Sequence, residues 1–457
     1  MKGPGATTPG DEPPHTQTDN SADRPVQGQA EEVACRILDF GPQANEDGVR
    51  VLLCDPLETY EANPKALFLG PKAENAELVE RMLRDVFRDY AFWRRNFHPE
   101  DLPVVQPRDQ EHGTFRDFWA HFQRELQILL GALKADVPFF SPRYIGHMTA
   151  DSCLPAVVAY IATMLYNPNN VSWEAAPVTT LLELQVGRDL AKMVGFGRSP
   201  QELDRTWGHI TSGGTLANIE SLWVAKAVRF LPIAVRFAAQ EAGLEGLCAR
   251  PGGKPLTRMS AWELSNLSPT EALDLNDRFV ESYVSAHPRC DVREAAEMAV
   301  QLLKNHDILS LGYHAFFSRL TGDDTLNTPL IVVPQTMHYS WVKAAGALGV
   351  GSGQMAVIPI DRQFRTDTPA LKHELEKALR DRRPVIEVVT VAGTTEEGSI
   401  DPIDSIVQVR DEMAARGLCF SLHCDAAYGG YFAACFRAPD GEFRSLDDMQ
   451  QEYGGWP

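Results

Sequence analysis

Between Leu330 and His423, short, mostly apolar and β-branched runs alternate with stretches of helical period. The runs are Leu330 to Val333, Met355 to Ile360, Val385 to Val391 and Leu418 to His423, with helical patterns over Pro369 to Arg380 and Asp404 to Arg416. A strand apolar at every position, rather than at every second one, must be covered on both faces. Strands of that kind separated by helix-length segments specify crossover connections, and so a parallel sheet with helices on both sides.

Upstream the pattern is helical. Leu78, Met82, Leu83, Val86, Tyr90 and Trp93 recur at helical spacing within Glu74 to Phe97, as do Phe115, Phe118, Trp119, Phe122 and Leu126 within Thr114 to Leu133. Two helices ahead of any strand predict an N-terminal helical arm. Leu154 to Tyr166 is strongly apolar but too short to span a bilayer, which predicts a buried helix. Further helices are expected from Pro177 to Val194 and from Thr215 to Phe230, while residues 250–290 carry few signals. The first 32 residues, polar and rich in Pro, Gly, Asp and Thr, offer almost nothing to bury and read as a disordered tail. The expected organisation is a tail over 1–32, a helical segment over 33–140 and the sheet-bearing domain over 141–457.

The chain carries 43 Lys plus Arg against 62 Asp plus Glu, a formal charge of −19. That balance argues against non-specific nucleic-acid binding and against docking on anionic lipid. No signal-peptide or transit pattern is present at the N-terminus, and the eight cysteines form no CxxC pair. A reduced, cytoplasmic protein without a metal site is the expectation.

Four stretches carry chemistry. Thr211-Ser212-Gly213-Gly214-Thr215 opens a helix; small residues at a helix start let backbone N–H groups converge on an anion such as a phosphate, although an ordinary glycine turn reads the same way. His338-Tyr339-Ser340 follows a strand at the end where α/β sheets bind ligands; it is open to stacking, proton transfer or a purely structural role. Gly393-Thr394-Thr395 leaves the third strand and leads to Asp401-Pro402, with Asp401 placed to cap the next helix; its hydroxyls suit a cofactor or plain loop chemistry. Asp425-Ala426-Ala427 closes the fourth strand, where a buried carboxylate needs a partner, either a turn or the protonated nitrogen of a cofactor ring.

Taken in order, Ser-Gly-Gly-Thr, His-Tyr-Ser, Gly-Thr-Thr with Asp-Pro, and Asp-Ala-Ala-Tyr resemble the group II pyridoxal-phosphate-dependent amino-acid decarboxylases, the family of glutamate, aromatic amino-acid and bacterial-type tyrosine decarboxylases. Tyr144 to Met148 and Asn169 to Pro177 are similar to that family's substrate-access region, and His338-Tyr339-Ser340-Trp341 with Tyr428-Gly429-Gly430-Tyr431 lean toward its tyrosine-decarboxylase-like branch. The resemblance implies a fold type I transferase-like large domain, pyridoxal 5'-phosphate as cofactor, a small amino-acid substrate and a homodimer. It implies that Ser212, Gly213, Gly214 and Thr215 hold the phosphate, that His338 stacks on the ring and handles protons, and that Thr395 lies near the ring's substituents. Asp425 would pair with the pyridine nitrogen, and Ala427 would pack against the ring.

The family's Schiff-base lysine follows the Asp-Ala-Ala stretch, yet no lysine follows Lys377 here. The chain therefore resembles the front part of a decarboxylase, without the small C-terminal domain. Two readings stand: decarboxylation of an L-amino acid, tyrosine before glutamate, with the remainder supplied elsewhere; or a non-catalytic relative. An aminotransferase or carbon–carbon lyase fits the His-Tyr-Ser and Gly-Thr-Thr context less well.

Overall fold

The computed structural model describes residues 63–453, apart from 147, 198, 200, 201, 203–205 and 439–441. The tail expected over 1–32 lies outside the described residues. The principal helices are α1 (Ala76–Phe97), α2 (Gly113–Leu133), α3 (Leu154–Tyr166), α4 (Pro177–Val194), α5 (Gly214–Glu241), α6 (Pro269–Ala286), α7 (Val292–Lys304) and α8 (Ile308–Phe317). Then come β1 (Leu330–Pro334), α9 (Ser340–Ala347), β2 (Met355–Ile358), α10 (Thr368–Arg380), β3 (Val385–Val391), α11 (Ile403–Ala415), β4 (Ser421–Asp425) and α12 (Leu446–Tyr453).

The four strands form one parallel sheet in the order β2-β1-β3-β4. Every residue of the two central strands is buried, Glu387 and Thr390 of β3 included; the edge strands β2 and β4 are only partly covered. Helices fill both faces with separate cores. Under α5, Leu222, Phe230 and Ile233 pack with Ile331, Val333, Trp341 and Val389. On the other face α10 and α11 bring Leu371, Leu375, Ile406 and Met413 against Leu330, Val332 and Val388. Between Leu330 and Ile331 the register with β3 slips by one residue, and on its other side β3 pairs regularly with β4, setting Glu387, Val389 and Val391 opposite Ser421, His423 and Asp425. That pairing decides which polar side chains face α5.

Several expectations need correction. The strand predicted over Leu418 to His423 begins at Ser421, because Leu418 and Phe420 anchor the preceding turn in the α10–α11 core. Asp401 does not cap the helix; Pro402 holds that position, and the buried Asp401 carboxylate accepts from Thr366 N and Val391 N, each at 2.7 Å. The helix at Thr215 runs eleven residues past Phe230, to Glu241. The featureless stretch 250–290 contains α6, whose start is a capping box in which Ser268 and Glu271 bond each other's backbone N–H. Finally, Leu154 to Tyr166 is helical but not a buried helix: only Leu154 and Val158 are buried, while Tyr160, Met164 and Tyr166 are exposed. α1 and α2 likewise present aromatic and aliphatic faces to solvent. Among the described residues, no helix is long and apolar enough to cross a membrane.

Candidate active site

The site is built on α5, whose N-terminus is fixed from below by α4. Gly187 of α4 lies against Gly208 so closely that a β-carbon there would stand 2.5 Å from the Gly208 carbonyl oxygen. Glu183, one turn earlier, accepts from Ile210 N at 3.0 Å and from Asn170 Nδ2 at 2.8 Å, bonds that hold its carboxyl below the usual range. The segment 206–211 is thereby clamped to α4 and delivers Gly213 and Gly214 to the start of a 28-residue helix. The Gly214 β-carbon position is 3.3 Å from the Ala427 methyl, so the glycine turn and the end of β4 form two sides of a narrow cradle.

Asp425 ends β4 beneath this cradle. It is buried, and Oδ2 accepts from Asn218 Nδ2 at 2.9 Å and from Trp341 Nε1 at 3.3 Å. Among the described residues no cation lies within ion-pair distance, so the carboxylate is held by neutral donors only. The same Asn218 amide also donates to Ser340 Oγ at 3.0 Å, and Ser340 Oγ lies 2.8 Å from His338 Nδ1. His338 and Asp425 thus belong to one network although 87 residues separate them. The Gly-Thr-Thr loop joins through Gly429, where a β-carbon would collide with the Ala392 carbonyl oxygen at 2.2 Å. Only glycine allows the two loops to cross there.

A cleft of about 900 Å³ opens above these groups. Gly213, Gly214, Asp425 and Ala427 line it, as expected; Ser212, Thr215, His338 and Thr395 do not, and Thr394 rather than Thr395 makes the loop's hydrogen bonds, to Ser399 and Glu397. Ser212 and Thr215 flank the lining glycines on the same turn. Neither the described residues of Tyr144 to Met148 nor Asn169 to Pro177 contribute to the lining. Sequence reasoning assigned no role to Asn218, His423 or Trp341. Asn218 sits one helical turn inside the glycine motif and His423 two residues before Asp425, so strand alternation alone puts His423 and Asp425 on one face.

A phosphate-type cradle at a helix N-terminus, set beside a buried carboxylate at the carboxyl ends of parallel strands, defines an α/β cofactor-binding domain of the fold type I kind. Residues 314–447 match the pyridoxal-dependent decarboxylase conserved domain. An L-tyrosine decarboxylase of Levilactobacillus brevis is 34% identical over 388 residues, 84% of this chain and 54% of that protein. One of Enterococcus faecalis is 34% identical over 409 residues, 88% and 58% of the two chains. An aspartate 1-decarboxylase of Aliivibrio fischeri is 25% identical over 377 residues, covering 80% and 54%. The crystal structure of mouse CSAD overlaps with a TM-score of 0.41 at 17% identity, over 78% of this chain and 56% of that one. The chain is similar, over most of its length, to group II pyridoxal-phosphate-dependent amino-acid decarboxylases. It spans between about half and three-fifths of the length of these curated relatives.

The residues present fit that family's cofactor, pyridoxal phosphate. A buried carboxylate with no cation near it is costly unless a positive group arrives, and a protonated ring nitrogen is such a group. The glycine turn and helix N-terminus suit the phosphate. The Ala427 methyl leaves room for a flat ring.

Proposed function

We propose that the cleft binds pyridoxal 5'-phosphate for the decarboxylation of an L-amino acid to its amine. The buried Asp425 carboxylate carries this reading: Asn218 and Trp341 orient it at the mouth of the cradle, and its charge lacks a counterion. When bound, the cofactor supplies an electron sink for the bond to the departing carboxylate. Asp425 would hold the ring nitrogen protonated. Gly213 and Gly214 would receive the phosphate on backbone N–H groups, with the Ser212 and Thr215 hydroxyls beside them. His338, tied to Asp425 through Ser340 and Asn218, would handle a proton near the ring, and Thr395 would stand by its substituents.

Tyrosine is the favoured substrate, supported by relatives named L-tyrosine decarboxylase at 34% identity; glutamate is second. The exposed apolar faces of α1 and α2 support a homodimer.

Binding of pyridoxal phosphate to the full chain, followed by tryptophan fluorescence with Trp341 as reporter, tests the site. Saturable binding should weaken at least tenfold in Asp425→Asn, which keeps the acceptor for Asn218 and removes the charge. Equal affinity in the two proteins, or no saturable binding to the folded wild type, would overturn the reading. For the activity, release of carbon dioxide from labelled tyrosine and glutamate by protein carrying the full family length compares the two substrates.

A further inference from the structure

Beside the Asp425 network runs a second polar chain that the proposed chemistry does not use. Ser221, one turn beyond Asn218 on α5, places its Oγ 2.8 Å from Glu387 Oε1 and 2.7 Å from His423 Nδ1. Glu387 is buried in the centre of the sheet, and among the described residues its Oε2 has no hydrogen-bond partner. His423 lines the cleft; its Nε2 is buried and unpartnered, and its ring meets Trp341 edge-on at 5.0 Å. An apolar sheet interior has no structural need for a carboxyl group, and leaving one half-satisfied is expensive.

The geometry points to a proton relay in which His423 takes a proton at Nε2 and Ser221 passes one on to Glu387. The hydroxyl has one hydrogen, so the three groups have two self-consistent arrangements. With Glu387 ionised, Ser221 donates to it and accepts from Nδ1–H, leaving Nε2 bare. With Glu387 neutral, its O–H donates to Ser221, Ser221 donates to Nδ1, and Nε2 carries the hydrogen. Moving from the first to the second, Nε2 gains a proton, Nδ1 gives its proton to Oγ, and the Oγ hydrogen passes to Oε1. Three bonds to hydrogen form and three break, the third broken bond being that of the acid that donates to Nε2. The net change is one proton neutralising the carboxylate while the imidazole stays neutral throughout.

Burial favours this outcome at both ends, lifting the Glu387 carboxyl to about 7 and pushing the His423 imidazolium down. Glu387 is hydrogen-bonded by Ser221 of α5 and is paired in the sheet with Ile331 of β1 and Ser421 of β4; the titratable His423 and Asp425 lie two and four residues further along β4. Lys226 of α5 turns its ammonium to the Leu348 carbonyl and the Tyr313 ring. The relay belongs to the chain without cofactor and rests on the pyridoxal-phosphate reading only for what it would serve, a proton delivered to or drawn from the cleft.

The test is imidazole nitrogen NMR on the ¹⁵N-labelled full chain between pH 5.5 and 8.5. In the wild type, His423 should pass from the Nε2–H to the Nδ1–H tautomer as pH rises, with one midpoint near neutrality and no imidazolium. In Glu387→Gln the tautomer should no longer depend on pH, and in Ser221→Ala the midpoint should vanish with the link. A wild-type His423 that keeps one tautomer across the range, or that titrates as a full imidazolium, overturns the relay whether or not the variants fold. Addition of pyridoxal phosphate forms a separate arm: a pyridinium paired with Asp425 should move the midpoint to lower pH. An unmoved midpoint would count against the cofactor reading and leave the relay standing.

Discussion

Replacing Glu387 with glutamine should make the protein more stable at alkaline pH and leave it nearly unchanged in acid. Burial raises the folded-state carboxyl from its ordinary 4.5 to about 7. A folded carboxyl raised above its unfolded value holds its proton longer in the fold, so stability is lost as pH climbs from about 4.5 through about 7 and then stays level. At about 1.4 kcal/mol per pH unit the shift corresponds to about 3 kcal/mol of charge burial at pH 8, on a residue only 2% exposed. Glutamine has the same shape and can still bond Ser221, yet never ionises. Urea unfolding of wild type and Glu387→Gln at pH 5, 6, 7 and 8 should give curves within about 1 kcal/mol of each other at pH 5. By pH 8 they should separate by about 3 kcal/mol, or about 1 M in midpoint at a slope of roughly 3 kcal/mol per molar urea. His423 works in the opposite direction, since it stays neutral in the fold and costs stability as pH falls below about 6.5; that contribution is common to both proteins and cancels in the difference. A difference of the same size at pH 5 and pH 8 would refute the reasoning, because it would locate the effect in packing.

Asn218→Leu removes the amide that serves both Asp425 and Ser340 and should cost about 1–3 kcal/mol in urea unfolding, while lowering affinity for pyridoxal phosphate. Gly187→Ala places a methyl against the Gly208 carbonyl and should cost about 1–3 kcal/mol, with a changed near-ultraviolet circular dichroism signal from Trp207; an unchanged spectrum would show that segment 206–211 is not clamped by this contact. Gly214→Val crowds Ala427 and should weaken pyridoxal phosphate binding at least tenfold in titration while leaving the unfolding free energy within about 1 kcal/mol.

The sheet was legible because its central strands are short, mostly apolar and β-branched, and Val385 to Val391 matches β3 residue for residue. Edge positions were harder. Leu418 and Phe420 are as apolar as any strand residue, yet they serve the core from a turn, and periodicity cannot tell a packed turn from a paired strand. α6 was overlooked although Ser268-Pro269-Thr270-Glu271 spells a helix start; the polar residues that follow conceal its core face of Ala272, Leu275 and Phe279. At the site, the glycine turn and the Asp-Ala-Ala stretch announced themselves as compact motifs. Asn218, Ser221 and Glu387 could not, since each is an ordinary residue of its helix or strand until the pairing of β3 with β4 sets which polar side chains face α5. Thr394 and Thr395 are chemically alike, and only the conformation of the loop decides which hydroxyl is consumed by its own turn.

β4 hydrogen-bonds to β3 along one side only, and among the described residues its other side meets no strand. A margin of free amides and carbonyls is adhesive, because any extended segment of suitable register completes it. Concentrated solutions of this chain should therefore self-associate through that border, and a solubility screen that ignores it would misattribute the resulting precipitate to misfolding.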